Sequence, residues 1–278
     1  MALIFIAENH EYKTIEEENP VKDWISATTF VGHFKEPFDA KIQAEKSSKN
    51  KKSKWYGMTP EEIQQAWTNE AKRATDLGTW YHNQRESDLC ELSTLVKDGL
   101  ELPIFSPIED KGVKVAPSQK LVDGIYPEHM VFLKSAGLCG QSDLVEIVNG
   151  YVNITDYKTN KEIKLESFKN WEGVSKKMKA PLSHLDDCNY YHYALQLSLY
   201  MYIILKHNPK LKPGKLTLHH IQFEEVDRDK FDNPITALDN DGNPVLKNIE
   251  PYVVPYLKDE IISMIKYLED FRPKFKKK

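Results

Sequence analysis

Apolar residues in the first part of the chain recur mostly at helical spacing. Near residues 120–124 the pattern changes to the short alternating runs of strands. Thr59-Pro60-Glu61-Glu62 is a helix start: a capping threonine, proline at the first helical position, and two acids in the first turn. Ile63, Ala66, Trp67, Ala71 and Ala74 follow at helical spacing. Gly78 reads as an interruption, with Thr79-Trp80-Tyr81-His82 opening a second helix toward Leu95. Upstream, residues 3–7 read as a short strand and 25–31 as a second apolar piece. Residues 41–54, with Lys46, Lys49, Lys51, Lys52 and Lys54 among serines and asparagine, read as a solvated basic loop.

Beyond residue 124, Met130-Val131-Phe132 and the runs 143–147 and 151–157 read as three strands, with turns at Gly137 and Asn149-Gly150. Residues 190–206 form a long apolar-rich helix stopped by Asn208-Pro209. Residues 215–224 alternate as a strand. The last helix, 258–271, carries Ile261, Ile262, Ile265 and Leu268 and leads into a basic tail at 274–278. This order predicts a mixed α/β (α+β) fold, a central mixed β-sheet flanked by helices. The length suits one domain over 1–278. It divides into an N-terminal helical elaboration at 1–77 containing the basic stretch 41–54, a core at 78–225, and a C-terminal helix and tail at 226–278.

Composition narrows the function classes little. Hydrophobic residues at 40% against 29% charged fit a globular protein rather than a disordered one. A net charge of −4 does not advertise a nucleic-acid binder, yet an acidic metal site lowers the total and only the phosphate-facing surface must be basic. Cys90, Cys139 and Cys188 are too few and too scattered for a disulfide framework or a four-cysteine metal site, which favours a reducing, cytoplasmic setting. The apolar N-terminal run has no basic flank and is not read as a signal peptide, and no run has the length of a membrane span.

The chemistry concentrates in Gly140-Gln141-Ser142-Asp143 and Asp156-Tyr157-Lys158-Thr159. With Asn149-Gly150 turning midway between them, a hairpin brings Asp143 and Asp156 side by side. Two adjacent carboxylates repel, and their burial is expensive unless a cation neutralises them. Oxygen ligands suit Mg²⁺ or Mn²⁺. Lys158 shares a strand face with Asp156, where its ammonium can stabilise charge on a scissile phosphate. The carbonyl of Tyr157 is a further candidate metal ligand. The bland alternative, an exposed strand with cross-strand ion pairs, fits either motif taken singly.

Four motifs in order resemble the RecB-type branch of the PD-(D/E)XK nuclease superfamily, which includes phage and mitochondrial single-strand exonucleases. Gly78-Thr79-Trp80-Tyr81-His82 is similar to its G-x-x-x-H helix, Gly140–Asp143 to its G-x-x-D strand, Asp156–Thr159 to its D-x-K-T strand, and Gln196-Leu197-Ser198-Leu199-Tyr200 to its Q-x-x-x-Y helix. The resemblance implies a restriction-endonuclease-like core. It assigns Asp143, Asp156 and Lys158 to catalysis, and His82, Asp143, Asp156 and the Tyr157 carbonyl to Mg²⁺ or Mn²⁺. Gln196, Tyr200 and Thr159 are assigned to the nucleic-acid side, with Trp80 and Tyr81 as packing residues. Glu128 is a looser candidate that would reach the metal through water. The cysteine set of the iron–sulfur branch is missing, so no cluster is implied.

The implied activity is phosphodiester hydrolysis of single- or double-stranded DNA, by an exonuclease of phage or bacterial replication, recombination or repair. A structure-specific endonuclease, a silent nucleic-acid binding module of the same fold, and a small-molecule hydrolase are the alternatives. No phosphate-cradling G-x-x-x-x-G-K-S/T loop is present, so no nucleotide is expected, and a helicase, annealing or recombination protein would be a separate chain. His184, Asp186, Asp187, Cys188 and His192 match no tetrahedral zinc spacing and read as a polar, Asp- or Asn-capped helix start. His219-His220 in a strand splits between two faces.

Overall fold

Thr59 caps its helix with a complete capping box: its hydroxyl accepts from Glu62 N at 3.2 Å, and Glu62 Oε2 accepts from Thr59 N at 3.0 Å. The computed structural model describes residues 2–9, 11–15, 23–170 and 172–271, and the basic tail at 274–278 lies outside them. In chain order the elements are β1 (Ala2–Ile6), β2 (Glu11–Ile15), β3 (Ile25–Ser26), α1 (Ala27–His33), α2 (Ala40–Lys49), α3 (Pro60–Cys90), β4 (Thr94–Lys97) and β5 (Leu100–Pro103). Next come β6 (Ile108–Asp110), β7 (Val113–Val115), β8 (Gly124–Leu133), β9 (Leu138–Val148), β10 (Tyr151–Lys158) and α4 (Asn189–His207). The chain closes with β11 (Lys212–Phe223), β12 (Glu225–Arg228), β13 (Pro234–Thr236), β14 (Leu246–Val254) and α5 (Lys258–Phe271).

The central sheet is mixed. Its order runs β14-β11-β10-β9, with β8 antiparallel along the far side of β9 and β3 parallel to the first residues of β9. β10 and β11 are parallel and joined through α4. The main core lies between this sheet and α4, with α1 and α5 packed alongside, and is filled by residues such as Phe30, Val145, Ile154, Leu195, Leu199 and Leu218. On the other face, α3 sets Leu77 and Tyr81 against Tyr157, Ile221 and Phe223, while Trp80 flanks Phe223. A smaller four-stranded sheet, β2-β1-β7-β6, places Leu3 and Phe5 on Met130 and Cys139. The predicted fold class is the observed one: a central mixed sheet with helices on its faces.

Four local expectations need correction. No break occurs at Gly78, because α3 runs unbroken for 31 residues. That glycine answers a packing constraint: a Cβ there would stand 3.1 Å from Thr159 Oγ1, and the same hydroxyl donates to the Ala74 carbonyl at 2.9 Å. The helix also stops short of Leu95, which lies in β4. The lysine-rich stretch is not a loop throughout, since residues 40–49 form α2, capped by Asp39 Oδ1 accepting from Ile42 N at 3.0 Å. Finally, residues 226–278 supply more than a helix, because β14 is the edge strand on β11.

Asn208 ends α4 and ties it to the segment entering β8. It is buried, its Oδ1 accepts from Leu121 N at 2.9 Å, and its Nδ2 donates to the carbonyls of Gln119 at 2.7 Å and Ile204 at 2.9 Å. Asn208→Ala strips partners from buried backbone groups and is expected to lower the unfolding free energy by about 2 kcal/mol or more in a urea titration.

Candidate metal centre

β9 and β10 stay paired only from Val148–Tyr151 to Leu144–Thr155. Past that rung the strands part. Asp156, Tyr157 and Lys158 pair with β11 alone, and the first residues of β9 pair with β3. The ladder carried one step further sets Asp156 opposite Asp143, and on the other side of β9 the β8 register sets Glu128 opposite Asp143. Three carboxylates therefore lie at the same level of three neighbouring strands, with Asp156 just past the last β9–β10 pair, where the sheet opens.

The pleat inverts at this same rung. On β8, Val131 and Tyr126 both enter the α4-side core although they have opposite parity, and on β9 so do Leu138 and Val145. Strict alternation would put one of each pair on the other face. The device is Glu128, whose backbone is left-handed at φ 48°, an unusual state for a side-chain-bearing residue, which costs of order 1–3 kcal/mol. The twist does not slip the register, as Pro127–Leu144 and His129–Ser142 pair on either side.

His82 reaches this rung from α3. Its Nδ1 stands 3.5 Å from Glu128 Oε1 and its Nε2 3.6 Å from Asp143 Oδ2, and one donor atom from each of the three residues lies within 4.8 Å of the others. Asp143 Oδ2 also accepts from Tyr157 N at 2.7 Å, which fixes the carboxylate to the diverging strand. Gln141 Nε2 donates to Glu128. Asp156 is 1% exposed and neither of its oxygens accepts a well-aligned hydrogen bond; Lys158 Nζ, 2.5 Å from Oδ2, is its ion-pair partner. Lys158 also lies 4.9 Å from the Tyr193 ring centre, a cation–π contact on the α4 side.

The electrostatics of the cluster follow from burial and crowding. Burial, and then the Asp156 charge, push the Asp143 carboxyl well above the usual range, despite His82 and Lys158. Burial would lower the His82 imidazole, but Glu128 and Asp143 outweigh it and raise His82 to about 9. Burial likewise opposes the Lys158 ammonium, and the Asp156 and Asp143 charges reverse that, so Lys158 stays protonated. The imidazole of His82 and the carboxylates of Glu128 and Asp143 converge as a donor set that fits a hard divalent cation, while Asp156, engaged by Lys158, lies outside that group of three.

Residues 49–247 match the family model of the PD-(D/E)XK nuclease superfamily. The chain belongs to that superfamily. No curated protein matches it. A solved structure described as "Crystal structure of SSO0001" aligns over 93% of this chain and 79% of its own, at 14% identity and a TM-score of 0.32, too slight a likeness to bear on the fold.

In this superfamily member the remaining motif residues support the cluster from behind. Tyr200 is buried, and a Cβ on Gly140 would stand 2.6 Å from its ring, so the glycine admits the tyrosine beneath the opening of the sheet. Gln196 Nε2 donates to the Tyr200 hydroxyl at 3.0 Å. The expectation that Tyr200 meets nucleic acid is therefore corrected: its ring is sealed in the core. Burial and the Asp156 charge keep its phenol protonated. Thr159 is corrected in part, since its hydroxyl is engaged by Ala74 and locks α3 to the end of β10. Gln196 stays half-buried.

Glu128, held loosely from sequence, is brought directly beside His82 and Asp143. Gln141 and Tyr193 went unread. The only sequence signal for Gln141 was its place inside Gly140–Asp143, and Tyr193 had none. The polar group before α4 is used structurally: Asp186 pairs with Lys177 at 2.6 Å, and Asp187 with Lys176 at 2.8 Å and His192 at 2.7 Å. The expected Asp or Asn cap is absent there, because Cys188 occupies the N-cap without a side-chain hydrogen bond. His220 Nε2 bonds the Asn160 carbonyl at 2.6 Å, while His219 packs by Tyr157.

Removing one charge from the rung separates repulsion from ligation. In chelator, Asp143→Asn keeps an oxygen for Tyr157 N and is expected to raise the unfolding free energy by about 1 kcal/mol or more. In Mn²⁺ the same variant loses the metal-dependent rise in Tm shown by the unaltered protein. Thermal melts at fixed pH, with and without Mn²⁺, read both effects.

Proposed function

We propose that the chain is a metal-dependent DNA nuclease of the RecB-like branch, acting as an exonuclease in phage or bacterial DNA replication, recombination or repair. The observation that carries this reading is the convergence of His82, Glu128 and Asp143 beside the Asp156–Lys158 ion pair, where β9 and β10 part. His82, Asp143, Asp156 and the Tyr157 carbonyl would hold Mg²⁺ or Mn²⁺, with Glu128 as a further ligand. When bound, the cation supplies Lewis acidity toward a phosphate oxygen and makes a ligated water more acidic.

The chain's own residues do the rest. Asp156 and Asp143 keep Lys158 protonated, so its ammonium faces the reacting phosphate as a fixed positive charge. The Tyr157 N–H holds Asp143 in one orientation. Tyr193 confines Lys158 from the α4 side. Gln196, half-buried and bonded to Tyr200, would be the α4 side chain that meets a strand lying over the opening. Among the described residues no helix is long and apolar enough to cross a membrane. With no nucleotide-binding loop in the sequence, a helicase, annealing or recombination partner would be a separate chain acting in the cytoplasm.

End-labelled single- and double-stranded oligonucleotides incubated with Mg²⁺, Mn²⁺ or chelator test this directly. The expected result is a ladder of shortened products with either metal and none in chelator. Lys158→Met is expected to slow cleavage roughly 10²–10³-fold while leaving oligonucleotide affinity within a few fold. A metal-independent product, or equal cleavage by the variant, contradicts the reading. Metal-dependent internal cuts without end-shortening move it to an endonuclease.

A further inference from the structure

The lysine-rich hairpin at the start of α3 bears a feature that the metal centre does not use. Phe38 is 67% exposed and Tyr56 52% exposed, large aromatic surfaces open to solvent over most or half of their area. The Phe38 ring centre lies 5.7 Å from Trp67, and Trp67 lies 6.3 Å from Trp55, so three rings form a row on the α2–α3 hairpin. Lys54 Nζ stands 4.5 Å over the Trp55 ring. Lys46, Lys49, Lys51, Lys52 and Lys54 are exposed, and none makes an ion pair among the described residues. A chain of net charge −4 that clusters five unpaired lysines around exposed aromatic rings presents a local surface complementary to a polyanion with stackable faces.

The platform connects to the metal centre. Trp67, Ala74, Gly78 and His82 fall along one stripe of α3, and Trp67 precedes His82 by about 22 Å at 1.5 Å per residue. A groove lined by Arg73, Thr159, Asn160, Lys161, Glu225 and Lys247 begins one residue past Lys158. Lys161 and Lys247 are exposed and without ion pairs among the described residues, whereas Arg73 is held by Glu70 at 2.7 Å. Lys54 Nζ donates to the Phe231 carbonyl at 3.4 Å, which ties the hairpin to the segment that leads into β13, whose Pro234 and Thr236 line the groove.

We infer that the Phe38–Trp67–Trp55 row, with Tyr56 and its lysines, is a stacking platform for a single-stranded segment of nucleic acid. That segment reaches the metal centre through the Lys161–Lys247 groove. Bases stack on the exposed rings, and phosphates follow the unpaired lysines. The inference rests on the nuclease reading for the direction of the strand, not for the existence of the platform.

Binding of labelled oligothymidines, measured by anisotropy in chelator so that no cleavage intervenes, tests the platform. The double variant Phe38→Ala/Tyr56→Ala is expected to bind a 20-nucleotide strand roughly five- to a hundredfold more weakly. Lys52→Ala/Lys54→Ala is expected to flatten the salt dependence by about 0.7 per lost phosphate contact. Both variants should cleave a dinucleotide in Mn²⁺ at the unaltered rate, since so short a strand does not span the distance from His82 to Trp67. All four residues are exposed, and a melt identical to that of the unaltered protein checks folding. Unchanged affinity and salt slope would overturn the platform even if the protein cleaves DNA. Weakened binding by the variants of a protein that never cleaves would uphold the platform and overturn the nuclease reading instead.

Discussion

Mutual repulsion among Glu128, Asp143 and Asp156 is the constraint around which the rest of the structure is organised. Three carboxylates on one rung of neighbouring strands would force their strands apart or take up protons in an ordinary sheet. Here the strands do part. Lys158 and His82 offset part of the negative charge from within the chain. What remains, most plainly at Asp156 Oδ1 and among the Glu128 and Asp143 carboxylates, is a demand for external positive charge.

Holding such a cluster requires rigid surroundings, and close backbone approach supplies them. Gly140 lets the Tyr200 ring lie beneath β9, and Gly78 lets α3 approach Thr159 at the end of β10. Each glycine belongs to one motif and its contact to another, so four short motifs interlock in two pairs. Helix α3 brings His82 to one side of the opening, and α4 brings Gln196, Tyr193 and Tyr200 to the other. The strained Glu128 backbone belongs to the same design: it reverses the pleat locally so that strands filling a continuous core still turn acidic side chains into the gap.

Much of this was legible in the sequence. The β8–β9–β10 strands, α4, β11 and α5 were read from alternation and helical spacing, because those segments are long, strongly patterned and bounded by clear turn residues. Gly78 was misread since glycine is a poor helix former in isolation, and only the third dimension reveals Thr159 beside it. The helix α2 escaped because its lysines and serines carry almost no apolar stripe, with Ala44 its one buried residue. β14 escaped because it is an edge strand whose side chains are mostly exposed, so alternation is weak. In the site, spacing alone could pair Asp143 with Asp156 across a tight turn. It could not bring in Glu128, whose place depends on the β8 register and a left-handed backbone. Nor could it show that Tyr200 points into the core, since a glutamine and tyrosine four apart look the same on either face of a helix.

The central claim is that one divalent cation is gathered at this rung by side chains from α3, β8, β9 and β10. Anomalous diffraction from crystals soaked in Mn²⁺ tests it most directly. The account predicts an Mn²⁺ peak bounded by His82, Glu128, Asp143 and Asp156, with Lys158 adjacent but not coordinated. A fully occupied Mn²⁺ elsewhere on the protein, with this cluster left empty at saturating metal, would contradict it.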